Sequence, residues 1–445
     1  MDYLTGVRPT ETLEISELLS AAAKPGQRVK VNGAVHTIRN MGTVAFVILR
    51  KREGLLQCVY EEGIAEFKLK EIKEAAAIEI EGILEANEKA PNGIEIRMEK
   101  LKILSEPADE RLPLAISKWK LKTSLEAKLN YRSISLRNVR ERAKFRIQEG
   151  LTRAFRDFLY SQGFTEIHTP KIGAKGAEGG ANIFKLDYFH RPAVLAQSPQ
   201  FYKQMMVGVF DRVFETAPVF RAEKHNTKRH LNEYTSLDFE MGYIEGFEDI
   251  MAMETGYLQY AMELLSKDYA SELKILGITL PKADKIPAVK FSEIKEAVSQ
   301  KYGHKMRNPF DLEPEEEQLI SQYAKEEWDS DFVFVTHYPS KKRPFYAMDD
   351  PADARYTLSF DLLFRGMEIT TGGQRIHDYQ MLAEKIAARG MTEEGMEDYL
   401  GTFKHGMPPH GGLGIGLERL TMKLVGEDNV RETTLFPRDL SRLEP

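Results

Sequence analysis

Lys224, His225, Lys228, Arg229 and His230 fall within seven residues of a chain whose net charge is −6. The flanks suggest what such a cluster is for. Before it, RVFETAPVFRAE alternates, with Glu215, Arg221 and Glu223 on one face. After it, YTSLDFEM alternates too, with Ser236, Asp238 and Glu240 on one face and Leu237, Phe239 and Met241 on the other. Period-two patterning predicts two strands. The connection, Lys224 to Glu233, is ten residues, longer than an ordinary hairpin loop. Long loops on rigid strands are where function concentrates. A hairpin with an apolar back, a polar front and a cationic tip suits an anion or a zwitterion.

Other elements must position this hairpin. Residues 28–60 read as strands, RVKVNGAVHTI then TVAFVILRKREGLLQCVY, with REG as a hairpin turn. Phe67 to Ala76 is a short helical stretch. AIEIEGILEA and GIEIRMEKLKIL are further strands, with Asn92 and Gly93 at the turn between them. Five short strands and one helix predict a small all-β barrel of the OB kind. SEPADERLP breaks the pattern near residue 110. Arg142 to Tyr160 is an amphipathic helix, with Ile147, Leu151, Ala154, Phe155 and Phe158 on its apolar face. Gly163 is placed to cap it. FTEIHTP is a short strand ending at Pro170, and GGLGIGLERLTMKLVG closes the chain's pattern as a strand and helix.

The bulk numbers exclude several classes. The chain has 445 residues, 29% charged and 42% apolar, enough for two or three ordinary soluble domains. Between Arg111 and Arg156, thirteen basic residues stand against three acidic ones. That stretch is either a phosphate-backbone footprint or a solvated helix face, and charge alone leaves both open. Cys58 is the single cysteine, so neither a disulfide within the chain nor a cysteine zinc site is expected. The N-terminus lacks a signal-peptide pattern and no run of eighteen apolar residues occurs. These features lead to an expected cytoplasmic location with no membrane partner. GLGIGLE lacks the third glycine and following acid of a dinucleotide loop, and His225 and His230 lack further ligands for a metal.

Three segments gain meaning together: the helix and strand ending at Pro170, the stretch containing Arg221, and GGLGIGLERL with Arg419. The trio resembles the three motifs of class II aminoacyl-tRNA synthetases. LFPRD, Leu435 to Asp439, resembles the subgroup that handles Asp, Asn and Lys, and within it the aspartyl enzymes of archaeal and eukaryotic type. The resemblance covers essentially the whole chain. It implies an α+β catalytic domain built on a six- or seven-stranded antiparallel sheet, a homodimer, and an N-terminal OB-fold anticodon domain. The expected division is 1–107 for the barrel, 108–137 for a hinge and 138–445 for the catalytic domain.

The resemblance also implies roles. Arg221 and Arg419 would grip the α-phosphate and the γ end of ATP, with Arg229 and His230 as further phosphate contacts. Glu223, Leu231, Tyr234, Gly416 and Glu418 complete the implied ATP site, and Tyr offers a stacking face. Glu368 would bind Mg2+, with Thr371 standing where relatives often have serine. Arg375 and Lys203 would read the side-chain carboxylate of L-aspartate. Glu178, in KGAEGGA, would be the acid of a mobile lid over the α-ammonium, with Gln200 and Asp238 beside it. Two cations facing the substrate would disfavour asparagine, whose amide leaves charge unpaired. Taken singly, each Arg reads as a structural ion pair and Lys203 as a surface lysine; their register across three motifs reverses that.

For tRNA, Phe46 matches a base-stacking aromatic and Gln57 a base-reading amide. The competing place for Phe46 is the barrel core. His36 and Pro91 stand where enzymes restricted to tRNA(Asp) carry Trp and Lys, and they match relaxed relatives that also charge tRNA(Asn). Such charging requires an amidotransferase downstream. The alternatives are a strictly tRNA(Asp)-specific ligase, an asparaginyl-tRNA synthetase, an asparagine synthetase of the same fold, and an inactive tRNA-binding paralogue. Lys203 argues against the asparaginyl enzyme and the barrel against the asparagine synthetase. Arg221, Glu368, Arg375 and Arg419 together argue against the paralogue.

Overall fold

The computed structural model describes residues 6, 10–20, 23–176, 182–225, 227–305 and 307–444. The chain forms two compact units, Met1–Glu141 and Arg142–Pro445.

The first unit holds the expected barrel. Strands β1 (Arg28–Asn40), β2 (Val44–Arg50), β3 (Leu55–Glu61), β4 (Ala77–Ala86) and β5 (Ile94–Ser105) close in the order β1-β2-β3-β5-β4. Alternate residues, among them Val31, Val47, Cys58, Ile80 and Ile96, fill the interior. Closure leaves no strand edge unpaired. Gly82 sits where β4 shifts register against β5, and a Cβ there would lie 2.2 Å from Arg97 O. The REG turn forms as expected, with Lys51 N donating to Gly54 O at 2.8 Å. The predicted helix over Phe67–Ala76 does not form. Only a single 3-10 turn, Leu69–Glu71, appears, and Ala75 takes a positive φ of 69°. So short a segment has too few internal bonds to offset helix nucleation.

The second unit is built on an eight-stranded sheet. Its order is Ala288–Lys290, Phe332–Thr336, Ser359–Phe364, Glu368–Gln374, His410–Gly416, Glu233–Gly242, Arg212–Phe220 and Thr165–Glu166. The inner six strands are antiparallel. The two edge strands run parallel to their neighbours, which the expected all-antiparallel sheet did not include. FTEIHTP contributes only Thr165–Glu166 as strand.

One sheet face is the core. Leu237, Phe239 and Met241 pack there against helix residues Ile147, Leu151, Phe155, Tyr257 and Leu258. Phe155 meets Phe214 and Tyr257 edge-on at 5.8 and 5.2 Å. Truncating such a side chain to Ala costs about 3–5 kcal/mol. The helix carrying this face runs Val139–Ser161, slightly longer than predicted. Gly163, with φ of 78°, ends it as expected, and Phe164 N closes back onto Leu159 O at 3.0 Å.

The hairpin pairs in full register from Arg212–Met241 to Phe220–Glu233. Because side chains alternate, Ser236, Asp238 and Glu240 emerge on the face opposite the core. The strand ends at Phe220, so Arg221 and Glu223 lie in the connection rather than on the strand as expected. Glu215 also leaves the predicted group. Its carboxylate accepts from Thr169 N, Thr169 Oγ1 and Lys171 Nζ at 2.7–2.9 Å.

Candidate active site

The polar face carries a buried quartet of charges. Lys203, on the helix Gln200–Phe210, places Nζ 2.9 Å from Asp238 Oδ1 and 3.4 Å from Glu240 Oε2. It also donates to Leu413 O at 2.9 Å. Arg375 Nε donates to Glu240 Oε1 at 2.8 Å, and its Nη2 to Gly412 O at 2.9 Å. Burial alone would raise the Glu240 carboxyl, but Arg375 and Lys203 hold it below the usual carboxylate range. Lys203 and Arg375 are the two cations expected to face the substrate. Asp238 and Glu240 add two carboxylates, so the quartet is balanced in formal charge. A balanced quartet leaves less unpaired charge against an asparagine amide than two bare cations would.

The glycine-rich strand exists to let these groups in. A Cβ on Gly412 would lie 2.1 Å from Glu240 Oε2 and 2.2 Å from Phe239 O. A Cβ on Gly414 would lie 3.0 Å from Asp238 Oδ1. Behind the quartet, Gln200 Nε2 and Tyr399 OH both donate to Gln204 Oε1 at 3.0 Å. Gln204 Nε2 lies 2.9 Å from His410 Nε2, and His410 Nδ1 lies 2.9 Å from Pro408 O. Burial lowers His410 to about 4, so its neutral ring accepts from Gln204 and donates to Pro408.

The other end of the site gathers cations. The guanidinium of Arg221 stands 5.9 Å from the ring centre of Tyr234. Arg419, on the helix Leu417–Val425, donates through Nη1 to Glu368 O at 3.2 Å and faces Glu368 Oε2 at 3.6 Å. His230 Nδ1 lies 2.6 Å from Thr227 Oγ1. Burial and the nearby Arg419 lower its pKa, which keeps it neutral at pH 7. The loop is fastened by the C-terminal segment. Asn232 N donates to Arg438 O at 2.8 Å, and Arg431 Nη1 to Thr227 O at 3.0 Å. Asn182 Nδ2 donates to Glu223 at 3.1 Å. Glu418 uses both oxygens on Thr235 N, at 3.0 and 3.1 Å, and burial raises it to about 7.

Asp361 was missed in the sequence. It lies inside the apolar run SFDLLF and faces Thr371 across the hairpin. Its only signal was the hairpin register, seven residues before Glu368. Arg343 Nη2 approaches its Oδ1 at 2.9 Å. Burial and the Glu368 charge outweigh Arg343 and raise Asp361 to about 6. Arg419 and Arg221 overcome burial at Glu368 and lower it. Thr371 Oγ1 donates to Glu368 Oε1 at 3.1 Å. Two carboxylates crowded enough to perturb each other, beside a hydroxyl, form a hard-oxygen donor set that fits Mg2+ completed by water and phosphate. Among the described residues, no cluster of three or more His, Cys, Asp or Glu offers a self-sufficient metal site.

A single pocket of about 520 Å³ collects these groups. Arg221, Glu223, Arg229, His230, Leu231, Tyr234, Glu368, Gly416, Glu418 and Arg419 line it. So do Gln200, Lys203, Asp238, Thr371 and Arg375. Glu178 lies outside the described residues. Every other residue expected around ATP and aspartate therefore borders one cavity.

Residues 124–440 match the model for class II tRNA synthetases of the D, K and N group. This chain belongs to that family. Residues 29–104 of the synthetase match the OB-fold nucleic acid binding domain. It is 49% identical over 426 residues to the aspartate--tRNA(Asp/Asn) ligase of Deinococcus radiodurans, covering 94% of this chain and 96% of the relative. It is 42% identical to the aspartate--tRNA(Asp) ligase of Pyrococcus furiosus, covering 97% and 98%. Among solved structures, the asparaginyl-tRNA synthetase of Pyrococcus horikoshii complexed with asparaginyl-adenylate superposes with a TM-score of 0.89 at 31% identity. That match covers 98% of this chain and 100% of the other.

The synthetase's barrel separates the tRNA candidates. Phe46 is half-buried and lies outside the interior cluster, so the barrel-core alternative for it fails. It pairs with Arg39 and Val59 across the outer face. Gln57 is on the same face, paired with Ile48, and donates to Glu95 Oε2 at 2.8 Å. His36 sits in a bulge between Val35 and Thr37 and is 3% exposed. It is therefore no open gap where a wall was lost. Pro91 is exposed on the turn Pro91–Gly93, which Asn92 ties to Leu55 O at 3.0 Å.

Proposed function

We propose that this synthetase activates L-aspartate with ATP and transfers it to the 3′ end of both tRNA(Asp) and tRNA(Asn). The observation that carries the reading is the buried Lys203–Asp238–Glu240–Arg375 quartet, opening into the same pocket as Arg221 and Arg419. Lys203 and Arg375 hold the side-chain carboxylate of aspartate. Asp238 receives its α-ammonium, with Gln200 beside it and Glu178 as the lid acid. The α-carboxylate then attacks the α-phosphorus in line, an acyl–phosphate bond forms and pyrophosphate leaves. Arg221 meets the charge on the α-phosphate, and Arg229, His230 and Arg419 meet the γ end. Tyr234 stacks on adenine and Glu223 reads its edge. Asp361, Glu368 and Thr371 would hold Mg2+, which neutralises phosphate charge when bound. The terminal tRNA hydroxyl then attacks the acyl carbon and AMP leaves.

Four relatives at 39–49% identity carry the name aspartate--tRNA(Asp/Asn) ligase, which supports relaxed tRNA choice. Pro91, exposed on its turn, supports it from the sequence, whereas the buried His36 does not act as an open gap. In this reading residues 1–107 bind the anticodon, 108–137 form a hinge and 138–445 catalyse as a homodimer in the cytoplasm. An amidotransferase converts Asp on tRNA(Asn). The likeness to an asparaginyl enzyme structure keeps asparagine activation as the second reading. ATP–pyrophosphate exchange with each amino acid separates the two. Exchange that depends on aspartate is expected, and exchange that requires asparagine would sink the proposal.

A further inference from the structure

Arg229 is held by a carboxylate from outside the hairpin. Its Nη2 donates to both oxygens of Glu317, at 2.7 and 2.5 Å. Glu317 is buried in the first turn of the helix Pro314–Trp328. Its Oε2 also accepts the backbone N–H of Glu368 at 2.8 Å. One carboxylate thus touches a cation of the ATP end and the first residue of the strand that bears Glu368 and Thr371. Arg419 closes the figure into a ring: its Nε donates to Arg229 O at 3.3 Å and its Nη1 to Glu368 O at 3.2 Å.

The helix is fixed in this position. Glu313 and Glu316 form a capping box at its start, and Lys295 pairs with Glu316 at 3.3 Å. The turn before Glu368 leaves it little room. Gly366 has φ of 85°, and a Cβ there would lie 3.3 Å from Gln318 Cγ. A plain structural ion pair would satisfy the arginine. Here Arg229 lines the pocket while its buried Nε has no hydrogen-bond partner among the described residues. Buried donors are normally paired, so an orphan at a pocket wall points to an acceptor that arrives with a ligand.

We propose that Glu317 is a positioning residue for ATP activation. It fixes Arg229 through Nη2 so that Nε is turned to a triphosphate oxygen, and it fixes the Glu368 backbone with the same carboxylate. The proposal rests on the assignment of Arg229 to the ATP end.

The test uses Glu317→Gln, Glu317→Ala, Arg229→Ala and the Glu317→Gln/Arg229→Ala double variant, each checked by thermal melting. ATP affinity is measured by calorimetry in Mg2+ and in EDTA, and exchange kinetics supply KM for ATP and aspartate. Arg229→Ala should weaken ATP about tenfold, the scale of one charged hydrogen bond. Glu317→Gln should weaken ATP similarly, in EDTA as well, with KM for aspartate unchanged. The double variant should be no worse than Arg229→Ala alone. Gln keeps an oxygen for Glu368 N–H and Ala does not, so only Glu317→Ala should raise the Mg2+ needed for half-maximal exchange. If Arg229→Ala weakens ATP but Glu317→Gln does not, or if the two effects add, the positioning role is wrong. If Arg229→Ala leaves ATP binding intact, the reading of Arg229 is wrong and takes the proposal with it. Should Glu317→Ala fail to fold, the Glu317→Gln cycle alone decides.

Discussion

Lys203 and Asp238 form an ion pair of 2.9 Å in which both side chains are almost wholly buried. Removing one partner of such a pair leaves the other charge stranded, which costs about 3–5 kcal/mol. Lys203→Leu is therefore expected to lower kcat/KM for aspartate in exchange by about a thousandfold. ATP affinity should survive, because Lys203 touches neither Arg221 nor Arg419. Unchanged aspartate activation would remove Lys203 from the substrate site.

Arg221→Ala tests the opposite end. Loss of a fixed cation at the point of developing charge is expected to cut the exchange rate by about 10²–10³-fold. The aspartate quartet should stay intact, so aspartate protection against heat should persist. Near-normal exchange would refute the phosphate role.

Side-by-side aspartate charging of tRNA(Asp) and tRNA(Asn) transcripts should give comparable efficiencies. Pro91→Lys should reduce tRNA(Asn) charging selectively, since Pro91 is exposed on its turn. His36→Trp should behave differently. Its site is buried, so the larger ring should cost about 1–3 kcal/mol of barrel stability by overpacking. Charging of tRNA(Asp) alone would leave the ligase standing and remove relaxed specificity.

Glu254 gives a pH signature. It is buried beneath the sheet, accepts from Thr370 Oγ1 at 2.5 Å, and burial raises it to about 8. A carboxyl whose pKa is raised on folding contributes stability below its unfolded value of 4.5 and loses it as pH climbs through the folded value. Between about pH 4.5 and 8 its contribution should fall, by about 3 kcal/mol at pH 7. Glu254→Gln removes the titration. Melting temperature against pH should decline less in that variant than in the parent over this window. Parallel curves would show that Glu254 does not titrate there.

Much of this architecture was legible because period-two alternation survives wherever one sheet face is dry. The barrel strands and the Asp238 hairpin obey it, and Glu240 could have been found the same way as Asp238. Asp361 could not, since its strand is buried on both faces and reads as continuous apolar sequence. Glu317 was illegible for another reason. It meets Arg229 across 88 residues of chain, and nothing local marks a glutamate in an acidic helix start as a partner. The Phe67–Ala76 misreading shows local composition yielding to the path the barrel requires. Arg221 and Glu223 were found by type although their strand assignment failed, because the motif they match does not depend on where the strand ends.

The strand His410–Gly416 constrains what the enzyme can become. Any side chain at Gly412 would collide with the Glu240 carboxylate and with Phe239 O, and backbone cannot step aside as a flexible side chain can. The polar face of the sheet beside Glu240 is thus closed to mutational drift. A descendant that changed its amino acid would have to do so from the helix that carries Gln200, Lys203 and Gln204, where Lys203 reaches the sheet through a side chain rather than through backbone.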